Sequence, residues 1–214
     1  TKLFVDRAGA GRQLATLLGE YRQKTNVVVL ALPRGGVPVG FEIAQSLGAP
    51  LDVLVVRKLG APGQPELALG AIASGGILVI NEGALRWFRD SPAFEDEVAA
   101  ERAELHRRER VYRDDRPAQA VKGRTVVLVD DGAATGSSMQ AAVRAVRKLG
   151  AREIIVALPV ASDSACDKLR EEADQVVCIR FPAFFAAVGQ WYENFDQTSD
   201  DEVRDLLARA AERR

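Results

Sequence analysis

The chain has 214 residues, 47% of them hydrophobic and 28% charged, with a formal net charge of −1 at pH 7. That is the balance of a soluble globular protein long enough to bury one full core, and it gives no electrostatic case for nucleic acid or a membrane surface as the main partner. No stretch reaches the length of an apolar membrane span, the start carries no secretory pattern, and the two cysteines, Cys166 and Cys178, have neither disulfide-framework nor metal-ligand spacing; reduced thiols and a cytoplasmic setting are expected.

In chain order, Leu14, Leu17, Leu18 and Tyr21 mark a first helix, and residues 27–32 form an unbroken apolar run suited to a strand buried on both faces. Pro33-Arg34-Gly35-Gly36 follows at the carboxyl end of that strand. Its glycines allow unusual backbone angles and close approach of main-chain N–H groups, and Arg34 adds a fixed positive charge. Val39, Ile43 and Leu47 stripe the next helix, Gly48 stops it, and residues 52–57 are the next predicted strand. Residues 58–66 are too rich in Gly and Pro for regular structure and read as a mobile loop. Residues 67–72 and 77–80 flank Gly75-Gly76 as a β-hairpin. Residues 84–116 turn helical and strongly charged, with Trp87, Phe88 and Phe94 near the start. This segment reads as an insertion outside the core, a solvated helix bracing the hairpin, with the lone His106 a surface residue on it.

Val126, Val127, Leu128 and Val129 read as a second buried strand, which runs straight into Asp130 and Asp131. Ala133, Ala134, Thr135, Gly136 and Ser137 then leave backbone N–H groups unobstructed. The helix they open, striped by Met139, Ala142, Val143, Val146 and Leu149, adds the positive end of its dipole, so a phosphate dianion fits there. Two carboxylates at the strand end can accept from two neighbouring hydroxyls. A phosphate at one end and a diol at the other describes a ribose 5-phosphate. Further on, Cys166 falls in a predicted helix and Cys178 in the last predicted strand, residues 176–179. Residues 181–195 are dense in aromatics: Phe185, Trp191 and Tyr192 are candidates to stack on a flat acceptor, the alternative being a hydrophobic plug that seals the end of the core. Alternating strands and helices predict a doubly wound α/β fold with a mainly parallel sheet. No Ser-His-Asp or Cys-His set is available for nucleophilic catalysis.

In its apolar strand, acid pair and Thr135-Gly136 step, the 126–138 segment resembles the signature of the type I phosphoribosyltransferases, which use phosphoribosyl pyrophosphate (PRPP). The whole chain is similar to uncharacterised bacterial members of that family. It departs from the usual pattern at Gly132 and Ala133, where the family mostly has aliphatic residues. The resemblance implies one domain over residues 1–214, with a hairpin and helical insertion at 67–117 and a small C-terminal hood or tail at 181–214. It implies PRPP 5-phosphate binding by Ala133, Ala134, Thr135, Gly136 and Ser137. Pyrophosphate would lie on Pro33, Arg34, Gly35 and Gly36, with any non-proline cis peptide placed within residues 33–35, and a flexible loop over residues 57–66 would bring Arg57 and Lys58 close to it. Asp130 and Asp131 would hold the ribose diol, directly or through the water shell of Mg2+. The implied activity is pentosyl transfer from PRPP to an unidentified nitrogen acceptor of nucleobase type, with pyrophosphate leaving; the alternative is a PRPP- or nucleotide-binding regulator without turnover. Ala134 stands where hypoxanthine-guanine members carry a proton-exchanging acid. Family members are commonly homodimers.

Overall fold

A computed structural model of the chain describes residues 2–213 apart from 82, 84, 85 and 87–90, with the backbone alone at 65–67. Trp87 and Phe88 therefore lie outside the described residues. Five strands, β1 (Val27–Ala31), β2 (Leu51–Val53), β6 (Thr125–Val129), β7 (Glu153–Val160) and β8 (Gln175–Arg180), form one parallel sheet in the order β2-β1-β6-β7-β8. Every residue of β1 and β6 is buried, as their β-branched, two-sided apolar runs require. Alternate side chains feed opposite faces. Val27, Val29, Val127 and Val129 meet α1 (Arg7–Leu17), α2 (Gly36–Leu47) and α6 (Asp200–Glu212), whereas Val28, Leu30, Val126 and Leu128 meet α4 (Ser137–Lys148) and α5 (Asp163–Arg170). This is the doubly wound α/β arrangement that the alternation predicts.

The second predicted strand does not run through. β2 ends at Val53, Leu54 donates its N–H to the Ala31 carbonyl, and the chain crosses to a separate antiparallel sheet of β3 (Val56–Ala61), β4 (Gln64–Ala73) and β5 (Ile77–Ile80). Residues 58–66, read from their Gly and Pro content as a loop, are instead a β-hairpin. A two-residue Pro62-Gly63 turn with Gly63 at φ +74° joins β3 to β4, and register shifts at Leu59–Gly60–Ala61 absorb the irregularity. The predicted Gly75-Gly76 hairpin is present, with Ala73 opposite Ile77. This small sheet rests on α4 through Ala73, Val79 and Ala145, and Lys148 Nζ donates to the Leu78 carbonyl at 2.7 Å.

The charged helix α3 (Pro92–Arg113) starts with Pro at its first turn and is capped by Asp114 in the left-handed region; of the predicted 84–116 stretch, residues 84, 85 and 87–90 lie outside the described residues. Phe94, Leu105 and Tyr112 anchor it in the main core. The segment 181–214 splits in two. Residues 191–194 pair with the first strand-like residues of the chain (Glu193 N to Phe4 O and Asn194 N to Val5 O, both 2.8 Å), while α6 turns back and buries Val203, Leu206 and Leu207 against the body.

Candidate active site

β1 and β6 are neighbours in register, with Ala31 opposite Val129, so the loops that follow them emerge side by side at the carboxyl edge of the sheet. The Leu32 N–H joins them directly, donating to the Val129 carbonyl at 2.9 Å. Open parallel sheets place ligands at this edge. The first loop carries a cis peptide between Pro33 and Arg34. Gly35 and the start of α2 adopt ordinary right-handed backbone, so unusual angles are not what the glycines supply here. They are needed for space. A Cβ on Gly35 would stand 2.0 Å from Asp131 Oδ2, and one on Gly36 would stand 2.7 Å from the Val129 carbonyl and 3.0 Å from Asp130 Cα. The 33–36 loop is pressed against the acid pair itself.

The second loop ends at Gly136, φ +76°, a left-handed turn that a β-carbon would oppose. Gly136 offers α4 no capping side chain, and apart from a long 3.4 Å bond from the Ser137 N–H to Thr135 Oγ1 the first-turn N–H groups are left for a ligand. Thr135 and Ser137 face each other at 3.1 Å, and Ser162 Oγ donates to the Ala134 carbonyl at 2.6 Å, fixing the loop from the α5 side. Gly132 departs from the aliphatic pattern for a visible reason: a Cβ there would lie 2.7 Å from Val188 Cγ1 and 3.0 Å from the Val160 carbonyl. A side chain from the C-terminal segment already fills that volume.

Between the loops stand the two acids. Burial pushes the Asp130 carboxyl well up, and the adjacent charge of Asp131 pushes it further. Burial raises Asp131 as well, against the pull of Arg7, whose Nε sits 2.8 Å from Asp131 Oδ2. The Asp131 N–H donates to Asp130 Oδ1 at 2.8 Å, and the Tyr192 hydroxyl donates to the Asp131 carbonyl at 2.6 Å.

Arg57 and Lys58 part company. As successive residues of a strand they point to opposite faces. Arg57 makes a two-pronged pair with Glu101 of α3, at 2.6 and 3.1 Å. Lys58 instead lines a cleft of about 270 Å³ together with Ser137, Ser138, Gln140 and Arg144, at the start of α4. Arg34 lies 3.6 Å from Asp200 at the start of α6, whose negative charge adds to burial in raising the Tyr112 hydroxyl of α3. Among the aromatic candidates, Tyr192 is only 1% exposed and its burial raises its hydroxyl pKa, so its ring has no free face for an acceptor. Phe185 and Trp191 pair at 6.1 Å, and Trp191 Nε1 is buried without a hydrogen-bond partner among the described residues. Phe184, not singled out by sequence, is 89% exposed. Arg7, Glu101 and Asp200 were also invisible to motif reasoning: the Arg7–Asp131 pair joins residues 124 positions apart, and no local pattern marks it.

Comparison with known proteins agrees with this geometry. The phosphoribosyl transferase domain model matches residues 6–196. A Mycobacterium tuberculosis protein that bears the provisional name phosphoribosyl transferase is 51% identical over 210 residues, which is 98% of this chain and 47% of that protein. The chain therefore spans about half the length of the curated relatives it matches. A crystal structure of the Thermus thermophilus protein TT1426 is similar at 48% identity with a TM-score of 0.86, covering 97% of this chain and 98% of that one. With the two loops and the acid pair in place on a doubly wound sheet, this chain belongs to the phosphoribosyl transferase domain family.

Proposed function

We propose that the protein transfers a phosphoribosyl group from PRPP, with Mg2+, to a nitrogen acceptor of nucleobase type and releases pyrophosphate. The observation that carries this reading is the placement of two phosphate-type loops on neighbouring strands with Asp130 and Asp131 between them. In this reading the N–H groups of residues 133–137 and the start of α4 hold the 5-phosphate, the acids hold the ribose hydroxyls, and residues 33–36 take the pyrophosphate, with Arg34 beside it. Lys58, facing Ser137 and Ser138 across the cleft, serves the 5-phosphate end. Arg57 reaches the pyrophosphate only by leaving Glu101.

The acceptor nitrogen forms a bond to the anomeric carbon as the bond from that carbon to the pyrophosphate oxygen breaks, and the electron pair departs with pyrophosphate. The acceptor's proton passes to water, because Ala134 offers no base. Charge separates in the transition state, so fixed dipoles and cations matter more than a nucleophile. The acid pair fits Mg2+, which favours carboxylate, water and phosphate oxygens. Asp130 and Asp131, at the end of β6, are the residues that would hold the ion, through its water shell. When bound, Mg2+ neutralises charge on the leaving pyrophosphate. Phe185 and Trp191, which pack in one cluster with Val188 and Tyr192, are the acceptor-stacking candidates of this reading.

Pyrophosphate release from PRPP and Mg2+ across a panel of nucleobases tests the reading. Release with one of them, and its loss in Asp131→Asn, is the expected result. PRPP binding without release for any acceptor makes the protein a PRPP-binding regulator instead, and no thermal protection by PRPP overturns both readings.

A further inference from the structure

We propose that Arg7 is a positioning residue for the ribose end of the site: it fixes Asp131 in the slot opposite Gly35, so that only the other carboxylate oxygen is presented to a sugar hydroxyl. The proposal rests on the ribose-phosphate reading above and assigns a role to Arg7 and to residues 192–196, which that reading leaves idle.

Asp131 Oδ2 is held from two sides. Arg7 Nε meets it at 2.8 Å, and the backbone of Gly35 passes so close that a Cβ there would lie 2.0 Å from Oδ2 and 3.2 Å from Arg7 Nε. Arg7 is itself fixed. Its NH1 donates to the Asp196 carbonyl at 2.7 Å, and its guanidinium lies 3.9 Å from the centre of the Phe195 ring. The arginine side chain is 12% exposed, so water screens the pair little. The main chain of the same acid is pinned by Tyr192. Tyr192, Phe195 and Asp196 belong to the segment that pairs with residues 3–5, and Arg7 opens α1 just beyond that pairing. The aromatic run is thus the backing of an arginine clasp on the second acid. Without the clasp, Asp131 loses its cationic partner and shares a buried space with Asp130, and the two like charges part.

The test is titration calorimetry with three probes in Mg2+ buffer: ribose 5-phosphate, PRPP and inorganic pyrophosphate. A hydrogen-bonded charge pair of this kind predicts that Arg7→Gln weakens ribose 5-phosphate and PRPP about tenfold or more and leaves pyrophosphate affinity within about twofold. Arg7→Lys, which keeps the charge, recovers much of the loss. Arg12→Gln, on the same helix as Arg7, removes a solvent-facing pair with Glu42 of α2 and changes none of the three. Unchanged ribose 5-phosphate binding in Arg7→Gln overturns the proposal. So does equal weakening of all three probes, which is the mark of general structural damage. If Arg7→Gln does not fold, Phe195→Leu removes the face beneath the guanidinium: selective weakening of ribose 5-phosphate supports the clasp, and unchanged binding overturns it. A wild-type protein that binds neither ribose 5-phosphate nor PRPP fails the underlying reading first, and the clasp with it.

Discussion

Replacing Gly35 by alanine perturbs the site with a single methyl group. The added carbon would stand 2.0 Å from Asp131 Oδ2 and 2.7 Å from Asp131 Cγ, where ordinary contact begins near 3.4 Å. Something must therefore move by more than 1 Å, roughly the difference between those distances. Asp131 cannot simply swing aside, because Arg7 holds its carboxylate and Tyr192 holds its carbonyl. Overpacking of this kind costs about 1–3 kcal/mol, and a clasped neighbour places Gly35→Ala at the upper end. For a domain of this size that lowers Tm by roughly 4–10 °C. Thermal and urea unfolding measure it, with Gly19→Ala as the matched control: nothing lies within 4 Å of a Cβ at Gly19, so that change leaves stability within about 1 kcal/mol of wild type or raises it. In the Asp131→Ala background the cost of Gly35→Ala falls by about 1 kcal/mol or more, because the clashing atoms are gone. A Gly35→Ala protein as stable as wild type, or a cost that is the same with and without the Asp131 side chain, refutes the contact.

Gly132→Ala should destabilise by about 1–3 kcal/mol through contact with Val188, and Val188→Ala should restore part of that loss in urea midpoints. Glu101→Gln releases Arg57, whose partner is then free to be a phosphate; pyrophosphate affinity rises while stability changes by about 1 kcal/mol or less, and a drop in affinity would contradict the proposed reach of Arg57. The pH dependence has a definite sign at Glu172. The Arg144 hydrogen bond holds its carboxyl below the usual range, so its contribution is present above the unfolded carboxylate pKa of about 4.3 and is lost as pH falls through the lower folded value. Wild type and Glu172→Gln should differ by at most about 1 kcal/mol at pH 6 and converge as pH falls below the lowered folded value, read from urea unfolding at each pH.

The sheet and the two strand–loop–helix turns at residues 33–36 and 130–137 were legible because their signals are local. Runs such as Val126 to Val129 and Val27 to Ala31 can only be strands buried on both faces, and small residues after each announce a tight turn into a helix. The 58–66 segment misled for the opposite reason. Pro62 and Gly63 make the turn and Gly60 falls within the register shift, so residues that usually disrupt strands here shape a hairpin. That change also separates Arg57 from Lys58, since strand neighbours diverge where loop neighbours need not. The aromatic segment was open between an acceptor wall and a plug, and the structure gives a divided answer: Tyr192 is locked into the core beside Asp131, while Phe184 stands in solvent. What no sequence pattern signalled were the long-range ion pairs. Arg7 with Asp131, Arg57 with Glu101 and Arg34 with Asp200 each join distant segments through tertiary packing.

The central claim is that one PRPP molecule spans the two loops, and a crystal structure of the protein soaked with PRPP and Mg2+ tests it most directly. The account predicts the 5-phosphate against the N–H groups of residues 133–137, the ribose hydroxyls on Asp130 and Asp131, and the pyrophosphate along residues 33–36. PRPP bound elsewhere, or lying across the loops in the reverse sense with pyrophosphate on residues 133–137, would contradict it.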